Sequence, residues 1–144
     1  MGMVVKINKK VNNMDISNYT AFFHDGSLSK IIHQKNELIL SMQSAEIALE
    51  ELPGNIALSS DDRIKGKLHI VDVENIEINE KSSSNKWEMQ FDKGRIFDFE
   101  IKGKIIELDI EWVNYPPRLN VTDFSTIKIK AEKIWWENIP DLET

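Results

Sequence analysis

The chain has no cysteine. Disulfides, thiolate zinc sites and cysteine nucleophiles are therefore excluded, and a reducing, cytoplasmic setting is the expectation. Its six glycines stand singly at breaks in the pattern, and none forms a loop that would cradle phosphate. No apolar run approaches the roughly 18–20 residues that cross a bilayer as a helix. Met1 to Lys10 carries lysines without an apolar core or a small-residue cleavage pattern, unlike a secretory signal. Positive charge is also short: the formal net charge is −6. An acidic surface repels nucleic acid and anionic membranes and steers association toward a basic partner.

What is present suits one domain. A chain of 144 residues, 41% hydrophobic and 29% charged, has enough apolar material for one core and shows no linker or repeat. The dominant signal is alternation with a period of two, the mark of half-buried strands. It is strongest from Trp87 to Trp112. Trp87, Met89 and Phe91 alternate with polar residues; so do Phe97, Phe99 and Ile101, and then Ile106, Leu108, Ile110 and Trp112. Turns at Asp92–Arg95 and Lys102–Lys104 make this a three-stranded antiparallel meander with one oily and one charged face.

Further strands are expected over Leu28–Gln34 and Glu37–Ala45, linked by Lys35-Asn36, and over Phe124–Glu132. Met3–Ile7 reads as an edge strand. In the segment from Ile64 the phase breaks where Ile70 and Val71 adjoin, which predicts a bulge or bend near Asp72–Asn75. One short helix is expected over Glu46–Leu52, stopped by Pro53-Gly54. Lys81–Asn85 reads as loop. About eight short strands and one short helix give an all-β fold, an antiparallel sandwich or partly open barrel spanning residues 1–144.

Candidates for chemistry are few. His24, His33 and His69 have no spacing that suggests a shared metal, and no cofactor is implied. His24-Asp25, with Ser27 nearby, is the sharpest polar group and the basis of a hydrolase reading. The turn reading is preferred, because no strained nucleophile elbow or oxyanion glycine accompanies it. Trp135 and Trp136 are adjacent, so in a strand they point to opposite faces. One enters the core. The other either stands open or packs beneath the tail, with Pro140 and Leu142 as a lid. With Trp112 and Tyr115 it makes a candidate aromatic patch for a protein or a sugar ring.

The strings Phe23-His24-Asp25-Gly26-Ser27-Leu28, Ser44-Ala45-Glu46-Ile47, Ile64-Lys65-Gly66-Lys67-Leu68-His69 and Ile134-Trp135-Trp136-Glu137-Asn138 resemble parts of small, uncharacterised bacterial β-rich proteins. Some of those look like immunity proteins, which neutralise a toxin by binding it. The resemblance implies a bacterial β fold and a binding role, and it brings no catalytic residue. The leading expectation is thus a non-enzymatic interaction domain with a basic protein partner. A small-ligand or carbohydrate-binding β domain is the alternative.

Overall fold

The computed structural model describes residues 13–83, 86–114 and 123–143. It is a mostly antiparallel β protein. Among the described residues eight strands occur: β1 (Asn13–Met14), β2 (Ser27–Gln34), β3 (Glu37–Gln43), β4 (Lys65–Ile78), β5 (Lys81–Ser82), β6 (Lys93–Lys102), β7 (Ile105–Val113) and β8 (Asp123–Asn138). Strand pairing follows the order β1-β8-β7-β6-β2-β3-β4-β5, and β4 also pairs with β8. The pairings therefore run round a ring. Its narrowest joint is β2 to β6, with two residue pairs extended by Asp25 N–H to Ile96 O and Ile96 N–H to Gly26 O.

Two of the three hairpins foreseen from turn residues form where expected. Lys35 takes a positive φ of 54° between β2 and β3, and Gly103 one of 60° between β6 and β7, matching the twist of the flanking strands. Another hairpin joins β4 to β5 through Asn79 and Glu80, both at positive φ. Thus Lys81 and Ser82 pair with Ile78 and Glu77 instead of lying in a loop. The predicted break in β4 is real: Asp72 has φ 55° and the register against β8 shifts between Val73 and Asn75. Past that corner β4 keeps β8 as its neighbour but leaves β3.

The core fills the ring. Leu38, Leu40 and Met42 of β3, Leu68 and Ile70 of β4, Ile106, Leu108 and Ile110 of β7, and Ile127, Ile129 and Ala131 of β8 are all buried. They occupy every second position, as a two-faced strand requires. A 3₁₀ segment, Ser17–Phe23, delivers Phe23 to the centre. There it meets Phe99 and Trp136 edge-on, at centroid distances of 5.2 and 5.6 Å.

Three expectations need correction. Trp87–Phe91 is not a strand. The edge of β6 on which it would pair is taken by β2 and by the segment ending at Phe23. Trp87 is instead buried individually, its N–H bonded to Nδ1 of His33 at 2.9 Å. Gly94 lies inside β6, not in a turn, and pairs with Trp112; a Cβ there would overlap the Ile110 side chain and crowd the Trp112 ring. The helical segment after β3 narrows to a 3₁₀ turn at Leu49–Glu51. Met3–Ile7 falls outside the described residues.

Candidate functional site

Among the described residues, the outer side of β6, β7 and β8 carries the largest exposed apolar side chains on any strand. Strict alternation from Phe97 through Ile101 places Phe97 inside. The register of β6 against β7 shifts between Ile96 and Asp98, so Ile96 is fully buried and Phe97 is 36% exposed. A bulge adds one residue and flips the faces beyond it. The signal was present: Ile96 and Phe97 are adjacent apolar residues, the same break that marks the corner in β4.

Across the sheet Phe97 meets Phe124, 43% exposed, at a centroid distance of 5.3 Å. Arg95 lies 5.1 Å over the Phe97 ring, and the imidazole of His24 flanks it at 6.3 Å. His24 Nδ1–H donates to the Phe97 carbonyl. Asp25 adopts φ 66°, and its carboxylate accepts from Arg95 at 2.6 Å. That hydrogen bond holds the Asp25 carboxyl below, and the Arg95 guanidinium above, their ordinary values. His24 and Asp25 are thus neighbours, 3.7 Å apart, each tied to β6. Ser27 is buried and makes no hydrogen bond to either. Gly26 permits this arrangement, because a Cβ there would overlap the Gln43 carbonyl oxygen.

Beside the phenylalanines runs an acidic cleft of about 330 Å³ lined by Glu77, Glu80, Asp98, Glu107 and Asp109, with Lys128 as its cation. The three elements are continuous. Asp98 follows Phe97, pairs with Asp109 across β7, and Asp109 pairs with Thr126, two residues beyond Phe124.

The tryptophans named from sequence do not gather into one patch. Trp136 is fully buried, with its Nε1–H on Asn138 at 3.1 Å. Trp135 faces the other way, as adjacency demands, and His69 of β4 stacks on its ring. Trp112 stacks on Phe91 at 5.4 Å and donates to Ser125 at 2.9 Å. It pairs with Asp123, so about 40 Å of strand separates it from Trp135 along β8. Tyr115 lies outside the described residues. The three histidines stand apart, and among the described residues no group of three or more His, Asp or Glu could hold a metal ion. No described helix is long and apolar enough to cross a membrane.

No protein-family model matches the chain, and no curated protein or solved structure is significantly similar to it.

Proposed function

We propose that the protein is a non-enzymatic interaction domain that docks a basic protein partner on the outer side of β6, β7 and β8. The observation that carries this reading is the exposed Phe97–Phe124 pair beside a cleft with five carboxylates. Apolar anchors supply affinity when they are desolvated, and the charged rim supplies steering and selectivity. Neutralisation of a basic toxin, which the resemblance to immunity-like proteins implies, is the specific form of the proposal. The arrangement at His24 and Asp25 supports binding over hydrolysis. A catalytic Asp orients its His, whereas Asp25 is engaged with Arg95 and His24 with a main-chain carbonyl.

The test compares the immobilised wild-type chain with a Phe97→Ser/Phe124→Ser variant in capture from the source cell. A partner held by wild type, lost by the variant and released by salt supports the proposal. Recovery of the same proteins by both would sink it. Protection of a toxin's target at far less than one equivalent would instead indicate turnover.

A further inference from the structure

The opposite wall carries a second surface that the acidic face does not explain. The registers of β2 with β3, β3 with β4 and β4 with β8 align Ile32, Ile39, His69 and Trp135 in one row across four strands. The neighbouring row, Ile31, Leu40, Leu68 and Trp136, points inward. Its last three members are fully buried and Ile31 packs against the core. Ile32, Ile39 and Trp135 are half-buried and belong neither to the core nor to the residues packed on it. A polar residue would be expected at each outward position of a sheet with one solvated face. Here that row is apolar, with His69 lying flat on Trp135 at 3.8 Å.

The flanking rows are charged in a particular way. On one side stand Lys30, Ser41, Lys67 and Glu137; on the other stand Gln34, Glu37, Val71 and Lys133. Among the described residues, Lys30, Lys67 and Lys133 enter no ion pair, whereas both glutamates approach His69, at 2.8 Å for Glu137 and 3.7 Å for Glu37. We propose that this row is a self-association face, whose occupant is the same face of a second copy of the chain.

Self-complementarity carries the argument. A two-fold axis in the plane of the face runs either along the row or along the strands. Along the row, each strand meets its own counterpart reversed, which sets Glu137 against Lys133 of the other copy and Lys67 against Val71. Along the strands, β8 meets β2, which sets Glu137 against Lys30 and Lys133 against Gln34. Neither axis opposes like charges, and both stack the apolar row on itself, as an isologous dimer requires. The face measures about 400 Å² per copy, half the roughly 800 Å² of a standard interface, so the dimer is weak and concentration-dependent.

Sedimentation equilibrium of the full chain from about 10 μM to 1 mM tests this. The expected result is a rise from monomer toward dimer mass. Ile39→Lys, a charge at the centre of a solvent-facing row, should weaken association by about tenfold or more while circular dichroism and thermal melting stay near wild type. Phe124→Ser, on the opposite wall, should leave it unchanged. A monomer throughout the range would assign the row to a different protein and overturn the proposal. So would a dimer that survives both Ile39→Lys and Trp135→Ser, or one abolished by Phe124→Ser.

Discussion

The imidazole of His69 and the indole of Trp135 lie face to face, their centroids 3.8 Å apart and their planes within 1° of parallel. They are cross-strand partners on β4 and β8, so the stack adds to a ladder already present. His69 Nε2 and the Glu137 carboxylate are 2.8 Å apart. This is surface chemistry built on a closed core, and it separates the fates of two neighbouring tryptophans.

Trp136→Ala should cost about 3–5 kcal/mol, because a fully buried indole leaves a cavity among Phe23, Leu68 and Gly66. Trp135→Ala should cost less than about 1.5 kcal/mol, the value of an aromatic pair. Urea unfolding of the two variants gives the comparison directly, and equal losses would contradict the opposite facing of the rings.

Glycine at position 66 is fixed by closeness, not by dihedral freedom. A Cβ there would overlap the Glu137 carbonyl oxygen and approach the Trp136 ring, so the methyl group forces β4 and β8 apart. Gly66→Ala should therefore destabilise by about 1–3 kcal/mol or more. Gly103, at φ 60° with no atom near its would-be Cβ, should accept Asn at a cost under about 1 kcal/mol. Thermal melts of the pair decide whether it is packing at Gly66 that matters.

His33 should make the segment around Trp87 sensitive to acid. Its Nδ1 accepts the Trp87 N–H, which requires a neutral ring. Burial first, and then the nearby Lys86 charge, hold its pKa below the ordinary imidazole value, with Glu88 opposing. The unfolded chain thus takes up a proton that folded His33 refuses. The contribution to stability is complete above the unfolded value of about 6.5 and is lost as pH falls through it toward the lower folded value. The protection of the Trp87 amide, its exchange rate set against that of an unfolded amide at the same pH, should fall over that interval, and His33→Asn, which keeps an acceptor without a titrating ring, should remove the step. An identical pH profile in the variant would rule His33 out as the cause.

Much of the fold was legible because period-two alternation survives wherever a strand has one buried face. β2, β3, β7 and the corner of β4 follow from it, as does the opposite facing of Trp135 and Trp136. Pairing was not legible. Trp87, Met89 and Phe91 alternate like a strand, yet nothing local records that β2 and the segment ending at Phe23 already occupy the edge of β6 on which they would pair. The exposed pair escapes a sequence reading for a related reason. Ring type alone favours Trp112, Tyr115, Trp135 and Trp136, whereas among the described residues the exposed rings are Phe97 and Phe124. They meet only because β6, β7 and β8 are neighbours.

The bulge in β6 makes the last test. If plain alternation held, Phe97 would fill the core and Ile96 would face water; the register shift between Ile96 and Asp98 reverses them. Ile96→Ala should then cost about 2–5 kcal/mol, the range for a fully buried aliphatic side chain. Phe97→Ala should stay within about 1 kcal/mol, since a partly exposed ring leaves no closed cavity. Its loss should instead appear in partner binding, where an aromatic anchor at the centre of an interface is worth about 2 kcal/mol or more. Chemical denaturation of the two variants, with capture measured on the same samples, separates the roles. A large stability loss for Phe97→Ala with none for Ile96→Ala would restore the unbroken strand, and the proposed docking surface would lose its anchor.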